Sequence, residues 1–133
     1  FSEILSKNTK FITIASLKGI HGILTKNNQK RPLFHLYEVL LYFKNAKIYK
    51  IEKINSISGV KLVKEEKMYY LLTNNSSNQT SYILENETVL QQSYLNKNNF
   101  EQVNKSQFSF LNFEDSTKNL SFEPNEIKLI QLS

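Results

Sequence analysis

Three residues in the first third of this chain carry side chains that could take part in chemistry: Ser16, His21 and His35. A serine can act as a nucleophile, and a histidine can act as a general base or metal ligand, when suitable partners lie nearby. Ser16 lacks the Gly-x-Ser-x-Gly context of an activated nucleophile. The two histidines are fourteen residues apart with no acidic residue beside either, and this spacing does not match a metal site. These residues therefore predict no catalytic group, no metal site and no cofactor.

The carboxylates do not supply the missing chemistry. Glu3, Glu38 and Glu52 fall on a terminus, a predicted helix and a predicted strand, while Glu65 and Glu66 lie between lysines at a predicted hairpin tip. Acid–base catalysis by a carboxylate pair needs both groups in one cleft. We therefore expect the chain by itself to be inactive as an enzyme.

Composition favours a folded domain. The 133 residues are 40% hydrophobic and include nine Phe and seven Tyr, which is enough for a core. The absence of cysteine excludes disulfides and thiolate metal sites. No apolar run approaches the roughly 20 residues that span a bilayer, so we predict no membrane span.

The net charge of +5 does not indicate a nucleic-acid partner. Sixteen of the seventeen basic residues are lysines, and they are scattered along the chain. Proteins that bind nucleic acid usually concentrate Arg and Lys on one face, often beside stacking aromatic rings. The densest stretch, residues 44–53, alternates lysine with apolar residues, which is typical of a strand with one wet face. We therefore predict no nucleic-acid binding.

The pattern of apolar residues divides the chain at residue 45. Residues 11–15 form a β-branched run that predicts a buried strand, and Pro32 suits the first position of a helix over residues 33–43. The predicted helix places His35 one step off its main apolar stripe, as a buried structural residue. The stripe consists of Leu33, Leu36, Tyr37, Leu40 and Leu41 and is widened by Phe34, Val39 and Phe43.

Beyond residue 45 the apolar period becomes two, and seven or eight short strands predict an antiparallel β-sandwich. The predicted strands cover residues 48–54, 60–63, 68–73, 80–84, 88–90, 108–113 and 127–132, with a turn at 56–59, a hairpin tip at 64–67 and a polar turn at 74–79. We expect the last strand to pair with the first. The residues expected to face the core are Tyr70, Leu72, Ile83, Phe110, Leu129 and Leu132.

Several motifs resemble the C-terminal region of (β/α)8-barrel glycoside hydrolases. Residues 22–25 (Gly-Ile-Leu-Thr), followed by Arg31-Pro32, are similar to the loop that leads from the last barrel strand into the final helix. Residues 70–74 (Tyr-Leu-Leu-Thr-Asn) and 122–129 (Phe-Glu-Pro-Asn-Glu-Ile-Lys-Leu) resemble strand motifs of the small β-sandwich that follows. The resemblance implies that residues 1–45 are the terminal strand and helix of a barrel and that residues 46–133 are a C-terminal β-sandwich domain.

Within these barrels, the chain looks similar to the apionate-lactonase-like branch. The positions that match its motifs are residues 13–16 (Thr-Ile-Ala-Ser), 19–22 (Gly-Ile-His-Gly) and 32–35 (Pro-Leu-Phe-His). The chain departs from that branch in carrying Ser16 where a strand-end carboxylate is expected and Ile20 where a pocket tryptophan is expected. Because active sites lie at the carboxyl ends of barrel strands, the chain supplies one corner of such a site at most.

The resemblance implies a C-terminal portion of a carbohydrate-active hydrolase. Its sandwich would buttress the catalytic barrel, and residues 16–24 would line the edge of the barrel mouth, with Ser16 and His21 contacting a carbohydrate or sugar-acid substrate. The implied partner is the rest of the barrel. The alternative is a freestanding β-sandwich module that binds carbohydrate or protein without catalysis. A barrel-sized region upstream of Phe1 would distinguish the two.

Overall fold

The computed structural model describes residues 17–18, 22–84, 87–99, 109–115 and 119–133. Within these ranges the chain forms one helix followed by eight short strands. They are α1 (Pro32–Tyr42), β1 (Lys47–Lys50), β2 (Ile57–Lys64), β3 (Lys67–Asn74), β4 (Thr80–Ile83), β5 (Val89–Leu95), β6 (Glu114–Asp115), β7 (Asn119–Phe122) and β8 (Ile127–Leu132).

The strands make two antiparallel sheets. One has six strands in the order β1-β2-β3-β8-β5-β6, and the other pairs β4 with β7. The prediction of a mainly β chain with antiparallel sheets after one helix is confirmed. The expectation that the last strand pairs with the first is wrong: β8 lies between β3 and β5. Because β4 pairs with β7 in the second sheet, β8 occupies the position next to β3 in the six-stranded sheet.

The centre of the six-stranded sheet is buried on both faces. Tyr69 and Leu71 of β3 lie in a cluster under α1, while Tyr70 and Leu72 lie in a second cluster under the β4-β7 sheet. This is the two-layer packing expected of a sandwich, with the helix as an additional cover on the outer face. The helix-side cluster comprises Val39, Phe43, Val60, Leu62, Tyr69, Leu71, Leu95, Phe110 and Leu129, and the other comprises Ile57, Tyr70, Leu72, Tyr82, Val89, Leu120, Phe122, Ile130 and Leu132.

Helix α1 begins at Pro32, as predicted, and the widening residues Val39 and Phe43 of the predicted apolar stripe are buried, whereas part of its main row is not. His35, Val39 and Phe43, spaced four residues apart, are each at most 5% exposed, whereas Leu41 is 71% exposed. The prediction that His35 is buried is confirmed, and the placement of Leu41 on the buried stripe is wrong. The helix is apolar around most of its circumference, so its sequence pattern does not determine which side contacts the sheet.

The hairpin tip is where the sequence placed it. Glu65 and Glu66, between β2 and β3, both have positive φ (50° and 65°), as the two central residues of a tight hairpin turn require. The predicted turn at 56–59 is wrong, because β2 already begins at Ile57 and the reversal lies at Asn55, which has φ 55°. The strand predicted over residues 48–54 is β1, which ends at Lys50.

Two other expectations need correction. The predicted strand at 108–113 is a turn over the part that the structure describes, and the short strand β6 follows at Glu114–Asp115. Phe110 is nevertheless completely buried, because the turn folds it under α1. Ile83 is 70% exposed, since its neighbour Tyr82 takes the inward side of β4. The other residues expected to face the core, Tyr70, Leu72, Leu129 and Leu132, are buried.

We predict that Leu129→Asp lowers the free energy of unfolding by about 4 kcal/mol, because it places an unpaired carboxylate in the helix-side cluster. Ile83→Asp is the matched control, and we expect it to cost less than about 1 kcal/mol on its exposed side of β4. Chemical denaturation followed by circular dichroism measures both. Equal midpoints for the Leu129 variant and the unsubstituted chain would contradict the described packing.

Candidate functional site

Ser16 and His21, the predicted substrate-binding residues, lie outside the described residues, so their assignment stays a prediction. The structure does describe the chain on both sides of His21. The backbone N–H of Leu24 donates to the carbonyl of Leu17 at 3.0 Å, and a Cβ placed on Gly22 would overlap the backbone of Lys18. The chain therefore folds back on itself here, and only glycine fits at position 22.

The motif residues after Gly22 form a closed loop that leads into α1. Leu24 and Lys30 form an isolated antiparallel bridge, and the N–H of Arg31 donates to the carbonyl of Ile23 at 3.0 Å. Inside the loop, the N–H of Thr25 donates to the carbonyl of Gln29 at 2.9 Å. These bonds bring the two ends of the loop together directly before Pro32.

A carboxylate ties this loop to the helix. Oε1 of Glu38 lies 3.1 Å from Nζ of Lys30, and Oε2 of Glu38 lies 2.7 Å from Nδ1 of the fully buried His35. The ammonium of Lys30 also sits 4.6 Å from the centre of the Phe34 ring. Glu38 was not predicted as the partner of His35, although residues three apart on a helix are neighbours on its surface. His35 thus serves as a packed, oriented side chain within the structure.

An open groove of about 980 Å³ runs beside the first turn of α1. Pro32, Leu33 and Leu36 form its apolar wall, and the loop after β5 and the turn before β8 form its polar side. The residues on that polar side are Asn96, Lys97, Asn98, Glu123 and Asn125. The groove adjoins the motif loop in sequence, since its helical wall starts at Pro32, the last residue of the motif.

A buried carboxylate lies behind the polar side of the groove. Glu126 is 2% exposed, and its two oxygens accept hydrogen bonds from Nδ2 of Asn96 and from the backbone N–H of Glu123, both at 2.9 Å. Nζ of Lys128 lies 3.6 Å from Oε2 of Glu126. A buried carboxylate with this many partners is held in one position. Glu126 therefore acts as a structural link between β5 and β8, because each of its oxygens is already bonded.

The partner of Glu126 is itself enclosed. Lys128 is 7% exposed, and its ammonium lies 3.3 Å from Oε1 of Gln92. The rings of Tyr94 and Phe122 flank the ammonium, with centres 5.1 and 5.4 Å away. Cation–π contacts and the carboxylate together compensate for removing this charge from water. The burial of Lys128 was not predicted, because it occupies an alternating strand position typical of a solvent-facing lysine.

Asn74 plays a comparable role at the end of β3. It is 1% exposed, and its amide nitrogen donates to the carbonyls of Asn78 and Glu123 at 2.8 and 3.0 Å. Its side-chain oxygen accepts from the hydroxyl of Ser56 and the N–H of Ser76 at 2.7 and 3.1 Å. All four hydrogen-bonding positions of the amide are used. The asparagine that ends the Tyr-Leu-Leu-x-Asn motif is thus a structural residue that joins three turns.

A partly open cluster of polar groups lies on the other face of the sheet. Nζ of Lys61 lies 2.9 Å from Oε1 of Glu87, and the ammonium is 5.7 Å from the centre of the Tyr70 ring. Burial raises the pKa of Tyr70, and its hydrogen bond to Glu87 raises that pKa further. Burial also raises the pKa of Tyr82, with the charge of Glu87 as a second cause. Both phenols stay neutral at physiological pH, and both residues belong to the core cluster under the β4-β7 sheet.

The described residues contain no group of three or more His, Cys, Asp or Glu side chains that could hold a metal ion. In the same ranges, no helix has the length and hydropathy needed to cross a membrane. The carboxylates of Glu38, Glu87 and Glu126 are buried or partly buried. Each forms an ion pair or a hydrogen bond with a neighbouring side chain. The described part of the chain thus provides packing surfaces and fixed turns.

The solved structures to which the chain is similar include those of a trehalulose synthase. The chain aligns with trehalulose synthase MutB from Pseudomonas mesoacidophila MX-45 in its monoclinic crystal form and with a MutB mutant in complex with glucose. In both cases the sequence identity is 9% and the TM-score is 0.46. The match covers 66% of this chain and 14% of the synthase, so the chain spans a small part of the length of these enzymes. No family model and no curated protein matches the chain.

We predict that Glu126→Gln destabilises the chain by about 2 kcal/mol, because Lys128 loses its counter-charge inside the protein. Glu114→Gln is the control, since Glu114 is exposed on β6, and we expect a change within about 0.5 kcal/mol. Urea unfolding of the two variants and the unsubstituted chain provides the measurement. Indistinguishable midpoints for all three would refute a structural role for Glu126.

Alkaline pH provides a second test of the packing. Burial and a hydrogen bond to Tyr42 raise the pKa of Tyr69 to about 12, above its ordinary value of 10.0. The folded chain holds this proton more tightly than the unfolded chain. The Tyr69 phenol therefore contributes fully to the free energy of unfolding below about pH 10, and this contribution is lost as the pH rises towards 12. We expect denaturation midpoints to fall over that window and to fall less steeply in Tyr69→Phe. Tyr49→Phe, on the exposed strand β1, should leave the pH dependence of the midpoint unchanged. A change in Tyr49→Phe with none in Tyr69→Phe would contradict the raised pKa of Tyr69.

Proposed function

We propose that this chain is the non-catalytic C-terminal portion of a carbohydrate-active hydrolase. In this proposal the sandwich holds the final helix of a catalytic barrel, and residues 16–24 line the edge of the barrel mouth. The observation that carries the proposal is the position of α1. Val39 and Phe43 pack with sheet residues in the helix-side cluster, while Leu41 is 71% exposed on another side of the helix.

The exposed side of the helix suits a second packing partner. Helices of soluble domains usually show a polar side to water, and α1 shows leucine there instead. Leu33 and Leu36 add an apolar wall to the groove beside the first turn. A barrel lying against the helix would cover such surfaces. The proposal keeps the division into residues 1–45 and 46–133, with α1 as the element that contacts both domains.

The chemistry would then come from the rest of the barrel. Glycoside hydrolysis uses two carboxylates at a set distance across the bond that is cleaved. The buried carboxylates described above hold lysines, a histidine and backbone groups in place. The acid and the base would therefore stand on earlier strands, and the substrate would be a carbohydrate or a sugar acid bound by the parent enzyme.

Ser16 and His21 would contribute contacts at one wall of the mouth. A serine hydroxyl and an imidazole can both hydrogen-bond a sugar, but Ser16 cannot replace a strand-end glutamate as an acid or a base at neutral pH. The finer assignment to the apionate-lactonase-like branch is supported by the sequence motifs alone. Ser16 departs from that branch, because it stands where a strand-end carboxylate is expected.

The proposal predicts that the purified 133-residue chain does not hydrolyse glycosides or lactones. It also predicts a barrel-sized reading frame upstream of Phe1 that carries strand-end carboxylates. In that longer protein, His21→Ala should weaken turnover without abolishing it, since the residue contacts substrate at the rim. Activity assays on the short and long proteins, with the same substrates, test both statements.

The packing role of α1 is tested in the same longer protein. We expect Leu41→Glu to lower the temperature at which the activity is lost, because it places a charge between helix and barrel. Ile83→Glu, on an equally exposed side chain of β4, is the control and should leave that temperature unchanged. Hydrolysis by the 133-residue chain alone, or a start codon next to Phe1, would refute the proposal and favour a freestanding binding module.

A further inference from the structure

Among the described residues, no further strand lies beside one edge of the six-stranded sheet. Strand β1 is the end strand on that side and pairs only with β2 in the described part of the chain. All four of its residues, Lys47–Lys50, are exposed. An end strand presents backbone N–H and C=O groups that can pair with a further strand.

Lysines surround this edge. Residues 44–53 contain Lys44, Lys47, Lys50 and Lys53 and a single carboxylate, Glu52. The ion pairs among the described residues involve Lys30, Lys61 and Lys128 and leave these four without a carboxylate partner. The stretch therefore carries a surplus of positive charge that the described structure does not neutralise.

The register places the lysines on both faces of the edge. Lys50 is opposite Val60, which lies in the helix-side cluster, so Lys50 belongs to the helix face of the sheet. Lys47 is an odd number of positions away along the strand and belongs to the other face. A segment lying along β1 would thus meet positive charge above and below its backbone.

Apolar side chains alternate with these lysines. Ile48 is 38% exposed and lies opposite Leu62 on the helix face, while Tyr49 is 50% exposed on the other face. In strand addition, main-chain hydrogen bonds provide affinity and alternate side chains provide specificity. The exposed Ile48 and Tyr49 give an added strand one apolar contact on each face.

We propose that β1 binds an extended acidic segment of a partner protein by strand addition. The charge selects the occupant: a second copy of this chain would bring a second row of lysines against the first, which is repulsive, whereas carboxylates are attracted from both faces. A polyanion without a peptide backbone would meet the charges but leave the strand edge unpaired. This inference is independent of the hydrolase proposal, because it uses neither α1 nor residues 16–24.

Lysines on an end strand also serve to prevent edge-to-edge aggregation. Protection alone and acidic-strand binding make different predictions, since protection requires no affinity for any peptide. A short synthetic peptide in which Glu alternates with Val is the probe. Its controls are the same peptide with Lys in place of Glu and the same peptide with alternate backbone nitrogens methylated, which removes the donors of a strand.

The protein is the full 133-residue chain, labelled with ¹⁵N, and binding is measured by titration calorimetry and by amide hydrogen exchange. We expect the acidic peptide to bind and to protect amides of residues 47–50, and we expect neither control peptide to do so. The double variant Lys47→Glu with Lys50→Glu should bind at least about tenfold more weakly. Lys26→Glu with Lys97→Glu makes the same change in net charge away from β1 and should bind normally.

Circular dichroism tests whether both double variants fold. If the Lys47→Glu with Lys50→Glu variant does not fold, Lys47→Gln with Lys50→Gln replaces it. Absence of binding, equal binding of the methylated peptide, or protection outside β1 would overturn the proposal. Heparin or an RNA oligonucleotide that binds β1 more tightly than the peptide would overturn it as well, because the edge would then be recognised through charge alone.

Discussion

The burial of β3 and β8 on both faces is the constraint on which the rest of the structure depends. In a sheet with one wet face, alternation of apolar and polar residues sets the register, because a slip of one residue turns the apolar set to water. Here Tyr69 and Leu71 are buried on one side and Tyr70 and Leu72 on the other. Hydrophobicity alone would therefore penalise a slip only weakly. Something else must fix how these strands align.

Shape supplies one part of the answer. Gly59 of β2 is paired with Leu72 of β3, and a Cβ at position 59 would overlap the carbonyl oxygen of Leu71. The strands approach closely only where the glycine is, so a shifted register would bring a larger residue to that point. The tight turn at Glu65 and Glu66, with positive φ at both residues, fixes the other end of the same hairpin.

Buried polar groups supply the rest. The N–H of Asn74 at the end of β3 donates to the carbonyl of Glu126 just before β8, at 2.9 Å. The side chain of Glu126 in turn accepts from Asn96, which follows β5. These groups are satisfied in one alignment of β3, β8 and β5, and a slip would leave a carboxylate and an amide buried without partners. We infer that the polar residues specify the register, while the apolar residues provide most of the stabilisation.

The same physics explains what the sequence could predict. The helix that begins at Pro32, the hairpin tip and the burial of Tyr70, Leu72, Leu129 and Leu132 follow from local patterns of period and turn chemistry, and the structure confirms them. The face of α1 and the partner of β8 depend on contacts between distant residues, and a pattern that is apolar on every side does not encode them. Glu126 and Lys128 were missed for a related reason, since their burial arises from the crossing of three strands and a turn. Ser16 and His21 stay predictions.

The position of β8 also decides where the positive charge of the chain acts. Because β8 is inserted at the centre, its lysine is enclosed: Lys128 lies between two rings and beside Glu126, and its charge is neutralised inside the protein. The same insertion leaves β1 as an end strand, where Lys47 and Lys50 stay exposed beside an open backbone edge. The net charge of +5 counts these lysines alike. Lys128, however, is part of the packed interior, whereas Lys47 and Lys50 are available to a molecule that binds at the edge. Had β8 paired with β1, as the sequence suggested, the edge would be closed, and its lysines would flank a covered strand instead of an available one.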